Sequence, residues 1–167
     1  MVLRLLTLVS LLFLSQASLA RQQKPDDVPD TCPVTRSPVP PFVPPWPYPL
    51  KAGPGWFWFG TKRLWTMLPA GGVWSGLPHT ESGYTQKMGW FNEAFNWRLE
   101  SYPAITVIGR RLDRAALHLK VTGINGGHTE TLESVMGVRV NIPSLGCWEI
   151  KGQYRDAHLT FVVWVAN

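Results

Sequence analysis

The stretch PSLGCWEIKGQYRDAHLTFVVWV, residues 143–165, decides the fold of this 167-residue chain. Successive side chains of a strand point to opposite faces. On that alternation Leu159, Phe161, Val163 and Val165 share one face. His158, Thr160, Val162 and Trp164 share the other, which is apolar at its end and so expects a cover. In the preceding run Trp148, Ile150 and Tyr154 lie together, and Cys147, Glu149 and Lys151 point the opposite way. The stretch reads as a strand pair whose cysteine is aimed away from the core.

The order glycine, aromatic, core residue at alternate positions resembles the penultimate strand of an immunoglobulin-like β-sandwich. There an aromatic corner residue precedes the inter-sheet cysteine by two. Gly146, Trp148 and Ile150 stand at those places, so an apolar residue takes the inter-sheet cysteine position. The partner of Cys147 therefore comes from outside the sheets. The chain has two cysteines, and in an oxidising space an even count is most simply one disulfide, Cys32–Cys147. Metal binding by two cysteines without C-x-x-C spacing is the weaker alternative. Closing a loop of that length removes about 4–5 kcal/mol of unfolded-state entropy in the chain model.

Cys32 heads a Pro-rich segment. Residues 33–55, PVTRSPVPPFVPPWPYPLKAGPG, hold nine of the fifteen prolines, which fix φ and remove backbone donors, so neither a helix nor a central strand forms there. The expected conformation is extended polyproline II. Phe42, Val43, Trp46, Tyr48 and Leu50 make it too apolar for a free linker. An arm, residues 21–55, is therefore expected to lie against the domain, with Phe42, Trp46 and Tyr48 covering Val162 and Trp164; a mobile spacer is the alternative. From Trp56 onward, short apolar runs broken by Gly, Pro and Asn predict an all-β, immunoglobulin-like antiparallel sandwich over residues 56–167. Residues 86–99, QKMGWFNEAFNWRL, fit strand or helix, because Met88, Phe91 and Phe95 also make a helical stripe; Gly89 and two asparagines weaken the helix.

Residues 1–20, MVLRLLTLVSLLFLSQASLA, have the form of a signal peptide: Arg4, an apolar run from Leu5 to Leu14, and small residues Ser18 and Ala20 before the cleavage point. The apolar run is short for a membrane span. The expectation is export to the periplasm or the exterior, cleavage after Ala20, and no stable membrane insertion afterwards. The net charge of +5 includes Arg4 and becomes +4 in the mature chain. Its lysines and arginines are scattered, Arg110, Arg111 and Arg114 being the densest group, so nucleic acid is not the expected partner.

The ending P-x-x-G-C-W-E-I followed by L-x-F-V-V-x-V, with LWTMLP at 64–69 and ITVIGRRLD at 105–113, resembles a group of small exported bacterial proteins of unknown function. The resemblance spans most of the mature chain. It implies an immunoglobulin-like fold and a bacterial source, and brings no activity or site residue with it.

Motifs for chemistry are sparse. His79, His118, His128 and His158 do not form a zinc pattern, since such sites converge three or four ligands, and no cofactor is implied. There is no G-x-S-x-G elbow, H-E-x-x-H or Gly-rich phosphate loop. Ser75 and Ser144 sit where serine supports turns, and Glu81, Glu93 and Glu100 lie in polar stretches. The reading is a non-enzymatic binding or structural module with an envelope protein or a glycan as partner. A carbohydrate-binding module using exposed tryptophans is the alternative, and a small secreted hydrolase the weaker one. Of nine tryptophans, Trp90 is expected in the core. Trp74, in the Gly-rich AGGVWSGLP, is expected to be exposed and to contact ligand together with His79, Glu81 and Tyr84.

Overall fold

The computed structural model describes residues 28–114 and 117–167; the expected signal peptide lies outside the described residues. Ten strands follow in order: β1 Trp56–Thr61, β2 Leu64–Pro69, β3 Val73–Trp74, β4 His79–Thr80, β5 Gly83–Phe91, β6 Thr106–Arg111, β7 Lys120–Thr129, β8 Leu132–Ile142, β9 Gly146–Tyr154 and β10 Ala157–Val165. No helix occurs among the described residues. One sheet runs β1-β2-β5-β8-β7 with β4 beside β5, and the other runs β3-β10-β9-β6. This is an immunoglobulin-like sandwich: β2, β5, β8 and β7 stand where strands A, B, E and D belong, and β6, β9 and β10 where C, F and G belong. The first strand is split between the sheets, because β2 pairs antiparallel with β5 while β3 pairs parallel with β10. β1 is an addition, a hairpin partner on the outer edge of β2.

Alternation carries the core. Met88 and Trp90 of β5, Met136, Val138, Val140 and Ile142 of β8, Trp148, Ile150 and Tyr154 of β9, and Phe161, Val163 and Val165 of β10 are buried between the sheets. The corner expected at Trp148 is present: its indole Nε1 donates to the Ser144 carbonyl at 3.0 Å, as a corner tyrosine donates to backbone a few residues upstream. Gly146 allows it, with φ 136°, and Arg111 braces the same turn by donating to Ser144 Oγ at 2.8 Å. Two residues beyond Ile150, which holds the inter-sheet cysteine position, a large ring meets an absent side chain. Trp90 is fully buried, and a Cβ at Gly152 would overlap its six-membered ring.

Residues 86–99 divide at Phe91. The first part is the centre of β5, paired with β8 from Tyr84↔Ile142 to Trp90↔Met136. The second part is a loop made by its asparagines. Asn92 Oδ1 accepts from the Ala94 N–H at 2.8 Å and Asn96 Oδ1 from the Arg98 N–H at 2.9 Å, side-chain bonds that compete with a helical ladder. The loop is tied down where the Tyr154 hydroxyl donates to Glu100 Oε2 at 2.6 Å.

Cys32 and Cys147 form the disulfide, and Cys147 points out of the sandwich beside Trp164. From there the arm crosses to the edge of β10, where the Thr35 N–H donates to the Val162 carbonyl at 2.8 Å and Thr35 Oγ1 accepts from the Val162 N–H at 2.9 Å. The aromatic residues go elsewhere, which corrects the expectation that Phe42, Trp46 and Tyr48 cover Val162 and Trp164. Phe42 and Tyr48 pack on Trp58, Trp65 and Phe91, on the outer face of the other sheet. Tyr48 meets Trp65 and Phe91 edge-on at 5.2 and 5.5 Å, and its hydroxyl donates to the Ser134 carbonyl at 2.8 Å. Trp46 is 91% exposed. The reason is supply of apolar surface: the Trp58–Trp65–Phe91 patch is larger than the Val162–Trp164 one and offers edge-to-face partners for both rings.

Three outcomes follow from this packing. Cys32→Ser is expected to lower stability by about 2–5 kcal/mol and to leave the sandwich and the Tyr48 anchor in place, so limited proteolysis cuts before Phe42 and spares residues 48–55. Gly152→Ala forces Trp90 aside and is expected to cost about 1–3 kcal/mol, part of it regained in Gly152→Ala/Trp90→Leu, as measured by urea unfolding. Burial, then the bond to Glu100, pushes the Tyr154 hydroxyl up to about 12. A raised tyrosine contributes stability in full below its unfolded value near 10 and loses it as pH climbs to about 12; a pH series is expected to show this loss flattened in Tyr154→Phe.

Candidate functional site

The four residues expected at a contact site are only partly brought together. His79 and Tyr84 are cross-strand partners in the β4–β5 hairpin, their rings 4.5 Å apart, and Glu81 is exposed in the turn between them. Trp74 is not exposed. It is 4% accessible, because β3 carries it under the gap left where β2 departs from β5, and it meets Phe161 edge-on at 6.2 Å. Glycines on both sides of Trp74 suggested a loop tip. In the fold they form the turns that let the first strand change sheets.

The open surface of interest is the outer face of the β1-β2-β5-β8-β7 sheet. Since Met88, Trp90, Met136 and Val138 point inward, Lys87 and Gly89 of β5 and Gly137 and Arg139 of β8 lie on the outer face. Pairing aligns them in rows. Lys87 stands opposite Arg139, and Arg139 opposite Gly123 of β7; one row on, Gly89 stands opposite Gly137, and Gly137 opposite Asn125. The next row reaches Val135 and Gly127 and the patch that Tyr48 covers. The arm thus roofs the aromatic half of the face and leaves the glycine half open.

Two adjoining cavities occupy that open half. One, of about 200 Å³, lies in the gap between β2 and β5 and is lined by Ala52, Trp56, Met67, Trp74, Gln86 and Lys87 among others. The second, of about 320 Å³, continues over Gly89 and Gly137 to Asn125, His128 and Thr129. Met67, Lys87, Met88 and Gly89 line both, so they form one groove. At one end Trp56 is 45% exposed. At the other His128 stacks on Trp97 with centroids 4.3 Å apart and planes 12° from parallel. Asn125 lies over Gly137, and Val135 and Phe91 lie against Gly89, so side chains as well as backbone make the floor; the walls offer an indole, a thioether, a second amide, an imidazole and an ammonium group.

Among the titrating groups, Tyr48 and Tyr154 are raised chiefly by burial, Arg110 by its bond to Glu149, and Asp113 and Asp156 are held down by Arg111 and Arg63. Among the described residues no group of three or more His, Cys, Asp or Glu is placed to hold a metal ion. The groove residues Lys87, Gly89, Asn125, Gly137 and Arg139 were not singled out by sequence. Their signal was present in Gly89 and Gly137, since glycine within a strand marks a place where something approaches the backbone closely.

The disulfide is the mark of an oxidising compartment, and no helix among the described residues is long and apolar enough to cross a membrane. No family model matches the chain, and neither a curated protein nor a solved structure matches it.

Proposed function

We propose that the chain is an exported, non-enzymatic binding module, periplasmic or extracellular, that holds its ligand in the outer-face groove. The observation that carries this is the division of one sheet face. Its aromatic half is roofed by a covalently fastened arm, while its glycine half forms a groove with Trp56 at the mouth.

Of the partner classes, a glycan fits the groove better than an envelope protein. A half-exposed indole stacks on a sugar ring, and amide and imidazole groups along the groove suit its hydroxyls. A protein partner adding a strand needs an open sheet edge, which β5 offers only over the few residues between its pairs with β4 and its pairs with β2. A small hydrolase is the weaker reading: Tyr154, Asp113 and Asp156, whose proton affinities are displaced, are each engaged with a structural partner, Glu100, Arg111 and Arg63.

Binding of the mature chain to cellohexaose, chitohexaose and polygalacturonate by isothermal titration tests the reading. At least one is expected to bind and to weaken tenfold or more in Trp56→Ala and in Gly137→Val, whose side chain displaces Asn125, with both variants folded by circular dichroism. Binding to none of the three, or binding unchanged by both substitutions, overturns it.

A further inference from the structure

Resting on the groove as a glycan site, we infer that its ligand is an acidic, carboxylate-bearing polysaccharide, whose ring lies in the groove against Gly89 and Asn125 and whose carboxylate sits between Lys87 and Arg139. These two side chains are direct cross-strand neighbours in the middle of the sheet, both exposed. Like charges placed opposite one another on adjacent strands are unfavourable. Among the described residues neither makes a salt bridge; the three that form use Arg63, Arg110 and Arg111. Lys120, exposed on β7 one row further, adds a third cation. The carboxylates at the ends of this face are Glu81 in the β4–β5 turn, Glu130 in the β7–β8 turn, and Glu133, beyond Val135 at the roofed end beside Tyr48. An anion between Lys87 and Arg139 turns their repulsion into two attractions.

The geometry selects among anions. The cation row and the glycine row are two residues apart along each strand, about 7 Å, so a ligand using both presents a flat ring and, at its edge, a negative group. A uronic acid does so within one unit. Asn125, opposite Gly137, has an amide that suits a ring hydroxyl. A single-stranded nucleic acid would require aromatic platforms for successive bases, whereas of the groove's aromatic rings Trp74 and Phe91 are buried and Trp56 stands at one end.

Polygalacturonate and the same polymer fully methyl-esterified differ only in charge, and they separate this proposal from the general one. The mature chain is expected to bind polygalacturonate at least tenfold more tightly than the ester. Lys87→Gln/Arg139→Gln is expected to abolish that difference while keeping or raising the melting temperature, and raised salt to weaken only the charged complex. Equal binding of acid and ester, or an unchanged preference in the double variant, overturns the inference. So does equal affinity for polyglutamate or oligo-dT, which would show a surface selecting charge alone. Should cellohexaose or chitohexaose bind through Trp56 and Gly137 while polygalacturonate does not, the acidic ligand is excluded and the glycan groove stands. Failure of every glycan removes both.

Discussion

An immunoglobulin-like sandwich ordinarily hides one face of each sheet, and here the outer face of the β1-β2-β5-β8-β7 sheet carries Trp58, Trp65 and Phe91 in one patch. Burying a large apolar side chain is worth roughly 1.5–3 kcal/mol, so a patch of three aromatic residues left in water is a considerable loss and an invitation to association. The N-terminal arm answers this constraint. Proline preorganises it, and two aromatic side chains, Phe42 and Tyr48, reach down to the patch. The disulfide and the Thr35–Val162 bonds hold its other end on the opposite sheet. The arm wraps one edge of the sandwich like a clasp, and where it ends the groove begins.

The same economy of side chains shows in the interior. Trp90 of β5 fills the space that Gly152 of β9 leaves, a contact between strands standing where B and F belong, and Ile150 holds the place of the inter-sheet cysteine. Cysteine serves a different use on the same strand, where Cys147 faces outward and fastens the arm. A core held by ring-on-glycine packing depends on van der Waals fit, which close-packed interiors do not relax easily. The core is thus independent of the redox state, and the arm is the part that reduction frees.

Charge follows a parallel division. Arg63, Arg110 and Arg111 are neutralised by Asp156, Glu149 and Asp113, and they lie on β6 or in turns. Lys87 and Arg139, in the centre of a sheet face, make no ion pair among the described residues and stand beside the groove. Ion pairs at exposed positions contribute little to stability. The contrast matters for recognition instead, because unpaired cations next to a groove draw anions and repel other cations.

Much of this architecture was legible in the chain itself. The alternation from Cys147 to Val165 assigned inward and outward faces correctly, down to the outward cysteine and the Trp148 corner, because a strand's side chains alternate by backbone stereochemistry alone, whatever lies next to it. What the tertiary structure alone decided is adjacency. Lys87 and Arg139 are remote in sequence and become neighbours only through β5–β8 pairing. Trp74, in a Gly-rich segment that reads as a loop, is buried because the first strand changes sheets beneath it. The arm's aromatic residues passed over Val162 and Trp164 for the richer patch on the far sheet. Local stereochemistry orients a side chain within its own strand; which strand comes to lie beside it, and which surface a flexible arm finds most favourable to cover, are set by contacts between distant segments that close only in the folded state.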